Sequence, residues 1–509
     1  MIQVATAAGR LVGRFAGESV GEGAGEPAGE SVKEGPGDVA VFRGVPFAEP
    51  PVGELRWRPP RPAAAWDGER PAYDFGPAPL QPQPPRDSIM FHTNFADRRA
   101  LVMSEDCLYL NVWSPDPGPG AGLPVLVWIH GGGNRYGHGG QEIHDGRALA
   151  RRGLVVVTLN HRLGALGFLA HPELAAEDDL GASGDYGLLD VVAALTWVRE
   201  NIARFGGDPD RVTLAGNSAG AAHVCHLMAS PLARPLFRAA LGQSASGVGR
   251  AEGPLPDQAA AQRQGLRWAA EFGGRDLAGL RRLSGVELVL KGHFGPVVDG
   301  RVLPESTDDV FAAGRQHPVP LLVGANDDEG SVYATLDVLR RLPVGPGADA
   351  LYPVHDGAEL RRTARRFTGE SRFVHPVWHW ARAHRAAAPT WMYRFTRTPP
   401  LPADLDLAPP RDGLPGYGAH HTAELPYALD TLDRRPWPWK DADRALARLM
   451  ADAWARFVET GDPNGGALPV WPRFTDREAM VFGEGGAAPG EVARLDALRF
   501  LARLPRPLH

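Results

Sequence analysis

The chain has 509 residues, with 54 lysines and arginines against 60 aspartates and glutamates, so its formal charge is −6. This near balance argues against nucleic acid or an anionic membrane surface as an obligate partner. Hydrophobic residues make up 43% of the chain, enough for a large core, yet no apolar run approaches the roughly 18 residues of a membrane-spanning helix. The two cysteines, Cys107 and Cys225, cannot form a disulfide framework, and we expect a cytoplasmic protein.

Apolar runs of strand length alternate along the chain with segments of helical periodicity. The predicted strands are Arg10–Phe15, Val39–Phe42, Leu108–Trp113, Val125–Ile129, Leu154–Leu159, Arg211–Ala215, Val319–Gly324 and Thr390–Phe395. The predicted helices include Tyr186–Phe205 and Ala219–Met228. This alternation predicts an α/β fold whose central sheet is mostly parallel.

Neither an internal repeat nor a clear linker divides the chain, so we expect a single domain over residues 1–509. Residues 18–38 are rich in Gly, Glu and Ala and contain no aromatic side chain. Such a segment cannot bury enough surface to offset its ordering entropy, and it predicts a mobile loop.

The segment RVTLAGNSAGAAHVCHLM contains the strongest chemical motif of the chain. A predicted strand runs into Gly216-Asn217-Ser218-Ala219-Gly220, and a predicted helix follows. In a G-x-S-x-G turn of this kind the serine hydroxyl projects from the carboxyl edge of the sheet, where it can act as a nucleophile. The flanking strand and helix distinguish this motif from a chance glycine-rich turn.

A second motif lies upstream, where the strand in VLVWIHGGGN ends at His130 and three glycines follow. Acyl transfer needs preorganised N–H donors for an oxyanion, and consecutive glycines let backbone N–H groups approach it without a Cβ in the way. The residue after the nucleophile, Ala219, is expected to supply a further donor. His130 itself is predicted to hold this loop by a hydrogen bond.

A nucleophilic serine needs a base, and the base needs an acid that fixes its tautomer. In a fold of this kind the acid and then the histidine follow the serine along the chain. The segment LLVGANDDEG offers Asp327, Asp328 and Glu329 at a strand end, and GYGAHHTAELPY offers His420 and His421. Spacing alone does not choose among these five residues.

The chain as a whole resembles the type-B carboxylesterases of the α/β-hydrolase superfamily, the family of para-nitrobenzyl esterases. The motifs that carry the resemblance are FRGVPFAEPPVGELRWRPP, SEDCLYLNVW, HGGG, NHRLGALGFL, DYGLLDVVAALTWVRENIARFGGDP, the serine turn, GPVVDGRVLP, GANDDEG, AHHTAELPY and WARFVETGDPN. They cover most of residues 39–475, in the family's order. The resemblance implies a mostly parallel central sheet flanked by helices, with helical insertions over the active site.

Carried over residue by residue, the family's nucleophile falls on Ser218, its acid on Glu329 and its histidine on His421. Ser244, in GQSAS, matches a serine that supports the acid. The donors of the oxyanion hole fall on the backbone N–H groups of Gly132, Gly133 and Ala219. The insertions that should form the pocket rim are residues 87–103, 255–294 and 331–356.

Several positions depart from the family pattern. Asn217 precedes the nucleophile where the family commonly has glutamate, so the pocket loses a carboxylate. Asn134 stands where an aromatic residue usually follows the oxyanion glycines. Cys107 matches a cysteine that forms a disulfide in secreted relatives, and because no cysteine precedes it here we expect a buried free thiol. The segment FHTNFADRRALVMSED lacks the tryptophan that cholinesterases use against choline.

The resemblance implies a serine esterase that hydrolyses small-to-medium carboxylic esters through an acyl-enzyme on Ser218. The same triad acting on amides or carbamates, or as an acyltransferase, stays open, and so does a non-catalytic binding module on the same fold. We expect a small-molecule ester substrate, a monomer, and no nucleic-acid or membrane partner. No cofactor or metal is expected.

Overall fold

The computed structural model describes residues 1–16, 39–343 and 346–505. The mobile loop predicted at residues 18–38 lies outside the described residues. Within the described ranges the strands are β1 (Ile2–Ala5), β2 (Arg10–Phe15), β3 (Ala40–Pro46), β4 (Glu69–Pro71), β5 (Ala78–Pro79), β6 (Met103–Ser104), β7 (Tyr109–Ser114), β8 (Leu123–Ile129), β9 (Val155–Leu159), β10 (Gly207–Asn217), β11 (Ala239–Gln243), β12 (Leu321–Asn326), β13 (Thr390–Phe395), β14 (Glu478–Gly483) and β15 (Gly486–Glu491).

The centre of the main sheet is parallel. Strands β9, β8, β10, β11, β12, β13 and β14 lie side by side in this order, and each runs parallel to its neighbour. Antiparallel strands extend both edges, with β7, β3, β2 and β1 beyond β9 and with β15 beyond β14. The predicted α/β fold with a mostly parallel central sheet is confirmed.

Helices pack on both faces of this sheet. In the described ranges the α-helices are α1 (Arg147–Ala150), α2 (Gly164–Phe168), α3 (Pro172–Ala176), α4 (Tyr186–Asn201), α5 (Ala219–Ala229), α6 (Gln258–Ala270), α7 (Leu277–Arg281), α8 (Gly285–Val289), α9 (Thr307–Ala312), α10 (Gly330–Tyr333), α11 (Pro346–Leu351), α12 (Gly357–Gly369), α13 (His375–His384), α14 (Leu425–Ala428), α15 (Asp441–Thr460) and α16 (Leu495–Leu501). Wider helical turns of the π type occur at Phe91–Phe95 and Glu370–Val374. None of the described helices combines the length and the apolar composition that crossing a bilayer requires.

The apolar runs are long because the central strands are buried on both faces. In β8, Val125, Val127 and Ile129 belong to the core that also contains residues of α4 and α5. The intervening Leu126 and Trp128 belong to the core on the other face, together with residues of α15. Side chains of successive strand residues point to opposite faces, so a strand between two helical layers carries apolar residues at every position.

The carboxyl ends of β8, β10 and β12 meet at one edge of the sheet, because these strands are parallel. The predicted strand at Val319–Gly324 is shifted: β12 begins at Leu321, since Pro320 has no N–H to donate to the ladder, and it continues to Asn326. Strand β10 likewise continues past the predicted Ala215 to Asn217. As a result β10 ends directly before Ser218 and β12 ends directly before the D-D-E-G segment, at the same edge of the sheet.

Candidate active site

Ser218 stands at the turn between β10 and α5. Its backbone angles, φ 53° and ψ −125°, are rarely adopted by a residue with a side chain, and such strain is typical of functional turns. The Ser218 N–H donates to the carbonyl of Gln243 at 2.7 Å, which ties the turn to the end of β11. The turn therefore holds the hydroxyl rigidly at the carboxyl edge of the sheet.

The glycines on either side of the turn are required by close backbone approach. A Cβ at Gly216 would lie 2.6 Å from the carbonyl carbon of Gly220, and a Cβ at Gly220 would lie 2.3 Å from the carbonyl oxygen of Ile129. Real Cβ atoms do not come so close to backbone atoms. The G-x-S-x-G pattern thus lets α5 start directly against the end of β8.

A chain of hydrogen bonds joins Ser218, His421 and Glu329. His421 Nε2 lies 2.9 Å from Ser218 Oγ, and His421 Nδ1 lies 2.6 Å from Glu329 Oε2. The side chains of His421 and Glu329 are fully buried. With Nδ1–H donated to the carboxylate, Nε2 is left to accept the serine proton, which is the arrangement that a general base requires.

The other candidates for the acid and the base have different partners. Asp327 forms an ion pair with Arg394. Asp328 accepts the N–H of Gly418 at 2.9 Å, and burial raises its pKa. His420 Nε2 lies 3.2 Å from Thr93 Oγ1, and burial lowers the pKa of His420 to about 4. Of the five candidates, Glu329 and His421 are the two that hydrogen bonds join to Ser218.

Asn326, the last residue of β12, was not singled out from the sequence. Its backbone N–H donates to Glu329 Oε1 at 2.8 Å, and its side-chain Nδ2 donates to the carbonyl of His420 at 2.8 Å. Asn326 thereby holds both Glu329 and the loop that carries His421. The sequence signal that could have identified Asn326 is its position directly before the D-D-E-G segment.

Glu424 is a second residue that sequence analysis missed, although it belongs to the quoted A-E-L-P segment. This fully buried carboxylate accepts hydrogen bonds from three side-chain amides: Asn217 Nδ2 at 3.0 Å, Gln243 Nε2 at 3.0 Å and Asn326 Nδ2 at 2.5 Å. Burial raises the pKa of Glu424, and the nearby charge of Glu329 raises it further. Asn217 is thus the amide partner of a carboxylate that lies close to Glu329.

The expected support of the acid by Ser244 is not formed. The buried Ser244 hydroxyl makes no hydrogen bond to Glu329 in the described ranges, whereas the Ser244 backbone N–H donates to the carbonyl of Gly324 at 2.8 Å. Ser244 has a positive φ of 57° and serves the turn after β11. The backbone N–H of Asn326 supplies the contact to Glu329 instead.

The predicted oxyanion loop packs against the turn that carries Ser218. A Cβ at Gly131 would lie 3.0 Å from Ser218 Cβ, so the glycine loop and the serine turn are in direct contact. The Gly132 carbonyl accepts the N–H groups of Arg135 and Tyr136, which closes the loop on itself. Within the described part of the chain, the N–H groups of Gly132 and Gly133 donate to no acceptor.

Neutral histidines lie behind the oxyanion loop. His130 Nδ1 is 2.8 Å from the carbonyl of Gly131, as expected, and its ring stacks on His161 with centroids 4.7 Å apart. The ring of His223 meets His161 edge to face at 5.1 Å. Burial lowers the pKa of His161 and of His223 to about 3. The loop therefore rests on an uncharged aromatic support.

No group of three or more His, Cys, Asp or Glu in the described ranges is arranged to hold a metal ion. Cys107 and Cys225 are both buried and unpaired, and burial raises the pKa of each thiol. The predicted free thiol at Cys107 is confirmed.

Comparisons with known proteins agree with this geometry. The model of the carboxylesterase family matches residues 20–343 and 350–487. The chain belongs to the carboxylesterase family. The resemblance seen in the sequence is confirmed, and this family member is a carboxylic ester hydrolase.

Two curated relatives and one solved structure illustrate the similarity. A Fumonisin B1 esterase of Sphingopyxis macrogoltabida is 39% identical over 491 residues, which cover 88% of this chain and 84% of the relative. The para-nitrobenzyl esterase of Bacillus subtilis is 33% identical over 475 residues, covering 86% and 90%. The carboxylesterase EST55 of Geobacillus stearothermophilus superposes with a TM-score of 0.78 at 32% identity, covering 98% and 99% of the two chains.

The hydrogen bond from Asn217 to Glu424 can be tested by substitution. Asn217→Asp replaces a donor by a carboxylate 3.0 Å from Glu424 Oε1. Two carboxylates at one site cannot both ionise easily, so one must hold a proton. We expect a loss of about 1 to 3 kcal/mol of unfolding free energy and a kcat/KM that falls as the pH is raised.

The check is thermal unfolding together with a pH profile of ester hydrolysis. In the double variant Asn217→Asp with Glu424→Gln, donor and acceptor change places. Part of the lost unfolding free energy and part of the lost kcat/KM should therefore be recovered. Equal pH profiles for wild type and Asn217→Asp would show that the contact between residue 217 and Glu424 has no influence on ester hydrolysis.

Proposed function

We propose that this carboxylesterase is a serine esterase whose triad is Ser218, His421 and Glu329. The observation that carries the proposal is the continuous hydrogen-bonded path from Ser218 Oγ through the imidazole to Glu329, at 2.9 and 2.6 Å. It is the geometry of an activated nucleophile with an oriented base. We also propose one catalytic domain over residues 1–509, with the rim built from residues 87–103, 255–294 and 331–356.

In the first half of the reaction, His421 Nε2 takes the proton of Ser218 as Oγ attacks the ester carbonyl carbon. The carbonyl oxygen becomes an oxyanion, and the N–H groups of Gly132, Gly133 and Ala219 are its proposed donors. Glu329 stabilises the imidazolium that forms. When the tetrahedral intermediate collapses, the bond from carbon to the alcohol oxygen breaks and the imidazolium returns the proton to the leaving alcohol.

In the second half, a water molecule replaces the alcohol. His421 takes its proton while the water oxygen attacks the acyl carbon, and collapse releases the carboxylic acid and restores the Ser218 hydroxyl. Small-to-medium esters are the proposed substrates. The rings of Phe373 and Tyr333 lie 4.6 and 5.3 Å from the imidazole and form an apolar wall beside the reacting atoms.

The test combines turnover with covalent trapping. We expect hydrolysis of para-nitrophenyl esters in a series from acetate to octanoate, and stoichiometric inactivation by a para-nitrophenyl alkylphosphonate whose label maps to Ser218 by peptide mass spectrometry. A matched para-nitroanilide measures the amide alternative. A label on another residue, or inactivation without any label, would contradict the proposal.

A further inference from the structure

Arg372 lies over rings that contact His421, and Arg135 lies on the glycine loop that contacts Ser218. Their charges act together with that of Arg250 on His293, and we call these three arginines the arginine rim. Arg372 extends across the aromatic wall: its guanidinium carbon is 5.1 Å from the ring centroid of Tyr333 and 5.8 Å from that of Phe373. Both rings contact His421. One aromatic ring therefore separates this cation from the catalytic imidazole.

Arg135 belongs to the oxyanion loop itself. Its N–H closes that loop on the Gly132 carbonyl at 3.1 Å, so its side chain begins next to the proposed oxyanion donors. The Nε of Arg135 is buried and has no hydrogen-bond partner in the described ranges, and the same holds for Oδ1 of Asn134. A buried guanidinium N–H without an acceptor is costly, and it is satisfied when an anionic oxygen binds there.

The charges of the rim converge on one region. Burial lowers the pKa of His293, and the charges of Arg135, Arg372 and Arg250 lower it further, in that order. The opposing carboxylate is Glu252, which faces Arg372 at 3.7 Å. That ion pair is loose and both side chains are nearly half exposed, so solvent screens it strongly.

We propose that the arginine rim selects esters that carry a carboxylate in addition to the ester group. Guanidinium groups bind carboxylates through two parallel charge-assisted hydrogen bonds, and the Nε of Arg135, unpartnered among the described residues, and the loosely paired Arg372 leave this capacity available. The inference rests on the proposed function, since it names the substrate class of the same site. The carboxylate belongs to the acyl part or to the alcohol part, and paired substrates separate these two cases.

The experiment uses two pairs of alkyl esters that differ only in charge, with acid release followed by pH-stat titration. Monoethyl glutarate against ethyl pentanoate places the carboxylate on the acyl part. The anion 4-acetoxybutanoate against butyl acetate places it on the alcohol part. In one pair we expect the anionic ester to have a kcat/KM at least about tenfold above its neutral twin, with the preference falling as NaCl is raised, because salt screens exposed charges.

Arg135→Gln and Arg372→Gln are each expected to reduce this preference, the ratio of kcat/KM for the anionic ester to kcat/KM for its neutral twin, about tenfold. Arg477→Gln is the matched control: this arginine is exposed, pairs with Glu491 on the edge hairpin β14–β15, and should leave the preference unchanged. Equal or better turnover of the neutral twin in both pairs, unaffected by the rim variants, would overturn the inference and leave the proposed esterase function intact.

Binding supplies a readout that does not need turnover. Glutarate is expected to raise the Tm of wild type and of Ser218→Ala, and butyrate to have a smaller effect. The effect of glutarate should be lost in Arg135→Gln with Arg372→Gln. If no ester of either pair is hydrolysed but glutarate raises the Tm, the proposed function fails and the anion site stands. If glutarate raises the Tm of none of these proteins, the proposed anion site is contradicted.

Discussion

Replacement of Ser218 by alanine is expected to lower kcat for ester hydrolysis by about 10⁴-fold or more. Without the hydroxyl no acyl-enzyme can form, and water must attack the bound ester directly with His421 as its only base. The N–H donors of the oxyanion loop and the apolar wall remain, so weak residual turnover above the uncatalysed rate is expected. The measurement is kcat and KM on a para-nitrophenyl ester, with circular dichroism to show that the variant is folded.

The triad should also behave as one unit. Because His421 acts through Ser218, the double variant Ser218→Ala with His421→Ala should be hardly slower than either single variant. The single variant His420→Gln provides the matched control, since the imidazole of His420 contacts Thr93 and not the nucleophile. Turnover of Ser218→Ala near the wild-type value, with contaminating esterase excluded, would refute the assignment of the nucleophile.

The features that could be predicted from the sequence are those with a local cause. The apolar runs of β8 and β9 identify strands buried on both faces, and the glycine spacing around Ser218 identifies a turn that tolerates no Cβ. The ends of β10 and β12 were misplaced by a few residues, since strand pairing and not local composition sets how far a ladder continues. The selection of Glu329 and His421 from five candidates needed the family resemblance, because three successive carboxylates differ only in where each side chain points.

The other parts of the site depend on contacts between distant segments. Glu424 meets Asn217, Gln243 and Asn326 only when the ends of three strands and the histidine loop come together. The arginine rim likewise combines segments more than 200 residues apart in the chain. The resemblance suggested Ser244 as the support of the acid, but the backbone N–H of Asn326 already fills that role.

Acidification from pH 7 to pH 5 is expected to destabilise the fold strongly, because many histidines are buried in the neutral form. At each of them burial is the largest cause that lowers the pKa, which is about 3 or about 4 in the folded protein. In an unfolded chain the pKa of histidine is about 6.5. These residues are His138, His161, His223, His226, His384 and His420. Between the two pKa values the unfolded chain binds more protons than the fold, so stability falls as the pH falls.

The change of unfolding free energy per pH unit gives the size of the expected loss of stability. Each such histidine contributes up to about 1.4 kcal/mol of lost stability per pH unit below 6.5. Buried carboxyls with a raised pKa, such as Asp185 and Glu424, act in the opposite direction, because the fold binds their protons more tightly. We expect the effect of the histidines to exceed that of the carboxyls. The net loss by pH 5 should be several kcal/mol of unfolding free energy, with a drop in Tm of about 5 to 10 °C.

Reversible urea unfolding at pH 7, 6 and 5 measures this proton uptake directly. His161→Asn removes one buried imidazole from the stack behind the oxyanion loop and should reduce the uptake on unfolding by about one proton. His355→Gln is the matched control, since His355 is exposed and its removal should leave the slope unchanged. A stability that stays constant from pH 7 to pH 5 would mean that the buried carboxyls fully compensate the histidines. An equal slope for His161→Asn and wild type would mean that the stacked rings take up their protons without loss of the fold.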